Sequence, residues 1–232
     1  MSTRKTADYA KMVYGEGELQ YSSKAEKVRL EKIVKLVGTG NKVLDIGCYN
    51  GIIGSILIKN GNEVYGIEIN PQVAENARQK GLKVKIQDIE NQFDFEDNFF
   101  DVVVAAEIIE HILDTDFFIN EIKRVLKPKG VLILSTPNVA SLGRRIFLLL
   151  GENPYFEASF GYPPKAHAGH IRFFTKDLLF GYLKYKGFEI IKFTSDVVNF
   201  TSSGKIVSKL FAYLFPTFGR SLIVRACVSK YE

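Results

Sequence analysis

The chain has 232 residues, 46% of them apolar and 25% charged, with seven prolines and two cysteines. That balance excludes a disordered polar chain, a collagen-like repeat and a small disulfide scaffold, and the length is enough to bury one large core. Net charge is +5, unevenly placed: from Lys165 onward eleven Lys and Arg stand against four Asp and Glu, which suits an anionic partner such as RNA, lipid or a phosphorylated sugar, or simply solvated helix faces.

The opening "MSTRKTADYAKM" is polar and basic, unlike a secretory signal, and no apolar run approaches the ~20 residues of a membrane span. With Cys48 and Cys227 far apart, a cytoplasmic protein is expected. "SSKAEKVRLEKIVKLVG" predicts an amphipathic helix over 22–37, serine-capped and ended by Gly38. "KVLDIG" reads as a strand, "GIIGSILIKNG" as a helix, "EVYGIEIN" as a strand and "NPQVAENARQKG" as a helix with proline in its first turn. "LKVKIQD" and "DVVVAAE" follow as strands, then the helix "DTDFFINEIKRVLKPKG" and the strand "VLILSTPN". Near-unbroken apolar strands alternating with helices imply parallel pairing with both faces covered, an α/β doubly wound sheet.

After Asn138 the pattern changes. "SLGRRIFLLLG" is helical, and "ENPYFEASFGYPPKAHAGH" is a long aromatic, Gly- and Pro-rich stretch of the kind that forms a lid. "TKDLLFGYLKYKG" returns to helix and "FEIIKFTSDVV" to strand, "GKIVSKLFAYLFPTFG" predicts a last apolar helix, and "SLIVRACVSK" a final strand. The chain is expected to be one domain over 1–232, with a core of about 40–138 plus 171–232. Helix 22–37 and the insertion 139–170 would form a substrate cap.

The first strand ends in "DIGCYNG", at the sheet edge where doubly wound folds hold their ligands. A dinucleotide turn would carry glycine where Tyr49 stands, because a pyrophosphate needs close backbone approach there. A less bulky, less anionic ligand fits better. Asp45, Gly47 and Gly51 in this order resemble motif I of the class I S-adenosylmethionine-dependent methyltransferases, with Tyr49 in place of the middle glycine. The resemblance implies a seven-stranded, mainly parallel, Rossmann-like sheet with a small cap, and S-adenosylmethionine as cofactor. It places Asp45, Gly47, Cys48, Tyr49 and Gly51 around the amino-acid tail and Glu68 on the ribose hydroxyls. Asp88 would meet the adenine amino group, Ile69 and Ile89 the faces of the base, and Ala105 and Ala106 the methionine moiety. "VLKPKG" is similar to the family's Leu-Lys-Pro-Gly-Gly turn, with Lys129 at the first glycine.

Methyl transfer to a hydroxyl needs alignment and a base. Of three histidines, His111 follows the fourth strand in "AEIIEHILD", where Glu107, Glu110 and His111 make E-x-x-E-H. On a helical turn Glu107 and His111 would share a face, as an acid–base pair or two ligands must. The same pattern occurs in ubiquinone-pathway O-methyltransferases and small-RNA 2′-O-methyltransferases, where it resembles a divalent-metal site of Glu107, Glu110 and His111. The RNA enzymes add a histidine shortly downstream that "ILDTD" lacks, so a further ligand would come from elsewhere, and the reading favours no metal. The bland alternative is a hydrogen-bonded helix start. In "AHAGHIRFFT", His167, His170 and Arg172 can contact substrate, alternation placing His170 and Arg172 on one side; His170 joins His111 and Glu107 as a catalytic candidate. Against this stands an ordinary surface loop. Ile206, Leu210, Phe211 and Leu214 recur at helical spacing and can meet a lipid surface, the cap or another subunit.

The expected activity is O-methylation of a small molecule, with a lipid-linked or glycan-type acceptor in view. The rivals are an RNA 2′-O-methyltransferase, which the basic C-terminal third suggests but the reading does not favour, and a non-catalytic cofactor-binding regulator.

Overall fold

The structure, a computed structural model, describes residues 23–154, 169–200 and 206–229. Helix α1 spans Lys24–Val37. Ser23 Oγ accepts from the Glu26 N–H, and the Glu26 carboxylate accepts from the Ser23 N–H, a reciprocal cap that satisfies two donors otherwise orphaned at a helix start. Then come β1 (Lys42–Ile46), α2 (Ile52–Lys59), β2 (Glu63–Glu68), α3 (Pro71–Gln79), β3 (Lys83–Ile86) and β4 (Phe100–Ala106). A 3₁₀ turn at Ile109–His111 leads to α4 (Thr115–Val125), β5 (Leu126–Pro137) and α5 (Leu142–Leu149). Next follow α6 (Lys176–Tyr185), β6 (Phe188–Ser195), the short strands β7 (Val198–Asn199) and β8 (Val207–Ser208), α7 (Lys209–Leu214), and β9 (Ser221–Val228).

Seven strands form one sheet in the order β3-β2-β1-β4-β5-β9-β6. The first five pair in parallel, and β9 runs antiparallel to both β5 and β6. The doubly wound sheet expected from the sequence is therefore present, its order reversing between β1 and β4. Side chains alternate across it. Leu132 and Leu134 join a core with Phe118, Ile119 and Ile122 of α4 and Leu179 and Leu183 of α6. Val131 and Ile133 join the opposite core with Ile33 and Val37 of α1, Leu57 of α2 and Ala77 of α3.

Two expected elements change length. The "LKPKG" turn is absorbed into β5, where Lys129 adopts φ +65°, a left-handed conformation that glycine takes freely. The last apolar helix shrinks to the six residues of α7. Val207 and Ser208 pair with β7 instead, Ser208 Oγ caps the Phe211 N–H at 3.0 Å, and Pro216 disfavours helix at Phe215. Ile206, Leu210, Phe211 and Leu214 thus do not all lie on one helix. Of the expected cap, α1 and residues 139–154, 169 and 170 are described.

Candidate active site

The bend after β1 is left-handed three times, at Gly47 (φ +65°), Tyr49 (+46°) and Gly51 (+75°). The tyrosine is tolerated at a cost of about 1–2 kcal/mol, and its backbone is put to use. The Tyr49 N–H donates to Glu68 Oε2 at 3.0 Å, the Asn70 N–H donates to Glu68 Oε1 at 2.9 Å, and the Cys48 N–H donates to the Ile67 carbonyl. Glu68 is clamped between the bend and the cap of α3, with a second lone pair on each oxygen available to a further donor. Burial pushes its pKa up, opposed by those backbone N–H groups. Asp45 lies beneath, buried, with no hydrogen-bond partner on Oδ2. Burial first, then the nearby Glu68 charge, raises its pKa to about 7. Such a pair of acids calls for hydroxyl or ammonium donors and repels a diphosphate.

The glycines serve packing as well as the bend. A Cβ on Gly51 would sit 2.8 Å from Ala77 Cα, and one on Gly47 2.5 Å from Ile108 Cδ1. The sequence reading assigned both positions to the turn and to ligand access; at Gly51 the crowding neighbour is helix α3. Cys48 is buried, and burial with the charges of Asp45 and Glu68 pushes its thiol pKa up, leaving an unreactive packing group. Ile69 follows Glu68, half-buried. Asp88 lies two residues past β3, its Oδ1 accepting from the Glu90 N–H, and Ile89 packs on the core. Ala105 is buried and Ala106 half-buried at the end of β4. All these residues line neighbouring strand ends.

On the far side of β4 the structure departs from expectation. Glu107 takes φ +57° and precedes the 3₁₀ turn, so it does not share a helical face with His111. Ser135 Oγ donates to Glu107 Oε1 at 2.8 Å, whereas Thr136 Oγ1 donates to Glu110 Oε2 at 2.9 Å. Ser135 and Thr136 are consecutive on β5 and face opposite sides of the sheet, so the two glutamates part company. Glu107 goes to the α1 side and pairs with Arg29 Nη1 at 3.2 Å. Glu110 is buried on the α4 side, beside the half-buried His111.

His170 arrives there from the distant segment before α6. Its ring centroid lies 4.7 Å from that of His111, edge to face, and its Nε2 is 3.9 Å from Glu110 Oε1, an oxygen with no hydrogen-bond partner. Glu110, His111 and His170 each offer a ligand atom, all within 4.8 Å of one another. The three-residue set thus exchanges the expected Glu107 for His170. Burial pushes the Glu110 carboxyl up, aided by the Glu107 charge. His111 is pushed down to about 4 by burial and then by His170, against a hydrogen bond to the Gly169 backbone, so it is neutral near pH 7. Arg172 does not point with His170. Its Nε donates to the Ile112 carbonyl at 3.0 Å and its Nη2 to the Leu113 carbonyl, and the Ile171 N–H donates to the Glu110 carbonyl. This staples residues 169–172 against the 3₁₀ turn. His167 lies outside the described residues. Arg29, Ser135 and Thr136 were not singled out in the sequence; the polar "STPN" that closes an apolar strand is the signal that could have found the last two.

Residues 44–134 match the family model described as a methyltransferase domain. Over those residues the chain is similar to methyltransferase domains. A ubiquinone biosynthesis O-methyltransferase of Pasteurella multocida is 38% identical to the chain over 115 residues, 43% of this chain and 48% of that protein. The enzyme of the same name from Xanthomonas oryzae pv. oryzae is 33% identical over 118 residues, 48% of this chain and 49% of its own. The chain thus spans about half the length of the curated relatives it matches. Among solved structures, 1,6-didemethyltoxoflavin-N1-methyltransferase of Burkholderia thailandensis, with 1,6-didemethyltoxoflavin and S-adenosylhomocysteine bound, superposes with a TM-score of 0.64. It is 14% identical, over 99% of this chain and 88% of that one, a likeness of fold. Asp45, Glu68, Asp88 and Glu110 all fall inside the matched residues, and His170 falls outside them.

Proposed function

We propose that the chain transfers the methyl group of S-adenosylmethionine to a hydroxyl of a small acceptor. The observation that carries this is the pair of buried acids at the bend: Glu68, held by two backbone N–H groups, and Asp45, with an unsatisfied oxygen. Glu68 accepts from the ribose hydroxyls, and the ionised Asp45 offsets the charge of the methionine ammonium. Asp88 takes the adenine amino group between Ile69 and Ile89, and the small Ala105 and Ala106 leave room for the thioether end. The cofactor supplies the leaving group; the protein aligns the acceptor and takes its proton. We assign that role to His111 and His170, whose rings lie edge to face, with Glu110 near His170. The relatives named O-methyltransferases support oxygen as the methylated atom. α1 and the described residues 139–154, 169 and 170 form part of the proposed acceptor-side cap, the rest of which lies outside the described residues.

Calorimetry on the folded chain tests the cofactor half: S-adenosylhomocysteine should bind with one-to-one stoichiometry, and absence of heat with either form of the cofactor sinks the reading. A second reading uses the same groups. The partnerless Glu110 Oε1, with His111 and His170 within 4.8 Å, makes a carboxylate and two-imidazole set suited to a first-row divalent cation. The cation would polarise the acceptor oxygen. Unchanged turnover after chelation removes this second reading; loss restored by added cation supports it. No helix among the described residues is long and apolar enough to cross a membrane.

A further inference from the structure

Residues 112–114 join the 3₁₀ turn that carries Glu110 and His111 to the start of α4. Ile112 is already extended, at φ −79° and ψ 129°, so the N–H groups that follow turn away from the 3₁₀ ladder. Glu90 takes both of them. Its Oε1 accepts from the Leu113 N–H at 2.8 Å and its Oε2 from the Asp114 N–H at 3.4 Å. The carbonyls of Ile112 and Leu113 accept from the Arg172 guanidinium, and the Ile171 and Arg172 N–H groups both donate to the Glu110 carbonyl. The joint is thus gripped through its N–H groups by the segment after β3, and through its carbonyls by the segment that brings in His170.

Glu90 is fixed in turn by the proposed base site. Its N–H donates to Asp88 Oδ1 at 3.0 Å, the Asn91 N–H donates to the Asp88 carbonyl, and Ile89 packs on the core between them. An amino group received by Asp88 therefore shares a carboxylate with the backbone of the residue that holds the joint. Bonds from N–H groups to an ionised carboxylate are short and about twice as strong as neutral ones, so a shift at Glu90 is passed on. Packing does little to resist it. Ile112 is buried, but Leu113 is 70% exposed and Asp114 is exposed too, so polar contacts set the position of the joint.

We infer that Glu90 is a positioning residue that ties occupancy of the base site to the placement of the His111–His170 pair. The inference rests on the proposed cofactor reading and adds an order to it: the nucleoside binds first, and the reacting centre is set afterwards. The route runs through the backbone of 110–114 and not through the imidazole of His170, so removing that ring leaves the base site unchanged. A Glu90 that merely satisfied exposed N–H groups would affect stability, but would carry no signal from nucleoside to histidine.

Adenosine is the probe that separates the two, because it has the base and ribose but no amino-acid tail to cover the histidines. Carbethoxylation of His111 and His170 by diethylpyrocarbonate is followed by peptide mass spectrometry on the full chain, without adenosine and at a saturation fixed by calorimetry. In the parent, adenosine should slow the reaction at one or both histidines by about fivefold or more. In Glu90→Ala, at equal saturation, the slowing should vanish. Glu90→Gln keeps an amide oxygen for one of the two N–H groups and should retain part of the slowing; it serves as the second variant if the alanine chain does not fold. A parent that binds S-adenosylhomocysteine but shows no slowing with adenosine overturns the coupling. So does a slowing that is undiminished in the Glu90 variant that folds. Absence of heat with S-adenosylhomocysteine in the parent is a different failure: it sinks the cofactor reading, and the coupling falls with it.

Discussion

The two sides of the β4 carboxyl end both bury an acid with a partnerless oxygen, Asp45 on one side and Glu110 on the other, yet they are assembled in opposite ways. The bend side draws on the ends of β1, β2 and β3, and parallel register lays Asp45 and Ile46 beside Gly66 and Ile67. Everything there lies within two consecutive crossovers in sequence. The histidine side draws on the 3₁₀ turn, on Thr136 of β5 and on His170, some sixty residues on, and is held by backbone bonds from Ile171 and Arg172 to the Glu110 carbonyl. The lesson is that a ligand pocket made by consecutive strand ends is written into the chain locally. A reacting centre made by a returning loop depends on which face of the sheet each residue is given.

The comparison can be broken by removing one side at a time. The largest effect is expected from His170→Ala, which should lower turnover by about 10²–10⁴-fold while leaving the dissociation constant for S-adenosylhomocysteine unchanged. Equal loss of both would mean that the two sides are not separable. Glu68→Ala does the converse. Losing two charge-assisted hydrogen bonds should weaken cofactor binding by about 100-fold or more, read by calorimetry. Circular dichroism checks that the Tyr49 and Asn70 N–H groups left without an acceptor have not unfolded the bend.

A smaller change sharpens the packing argument. Gly51→Ala forces a Cβ against the Ala77 backbone at φ +75° and should destabilise the fold by about 1–3 kcal/mol, seen as a lower midpoint in urea. An unshifted midpoint would mean that α3 is free to move away.

The least effect is a difference in pH dependence between the parent and Asp45→Asn. With its pKa raised to about 7 in the folded protein, Asp45 keeps a proton that the unfolded chain has already released above about pH 4. Its contribution to stability therefore falls as pH rises from about 4 to 7 and is constant above. The melting temperature of Asp45→Asn relative to the parent should climb across that window and then level. Binding of a cationic ammonium draws the proton off, so parental affinity for S-adenosylmethionine should rise toward pH 7, by at most about tenfold per pH unit. A flat parental profile would place the ammonium elsewhere.

Much of the molecule was legible in the chain. The apolar strands, the capping serine of α1 and the asparagine–proline start of α3 each act through near neighbours, so their roles follow from spacing alone. Even the odd tyrosine was readable as a bend that need not admit a diphosphate, and its N–H on Glu68 gives the bend a structural use for it. The final apolar helix was over-read, because a helical period in "KIVSKLFAYLF" does not reveal that Val207 has a strand partner in Asn199. E-x-x-E-H was over-read in the same way, as one helical face.

The sequence by itself determined the order of strands and helices along the chain and the acids at the strand ends. These depend on residue type and separation along the chain, which are local quantities. Only the tertiary structure decided that Glu107 belongs with Arg29 and Glu110 with His170. The two-residue alternation of β5 sends Ser135 and Thr136 to opposite faces of a sheet too thick for the glutamates to share, and no one-dimensional spacing carries that choice.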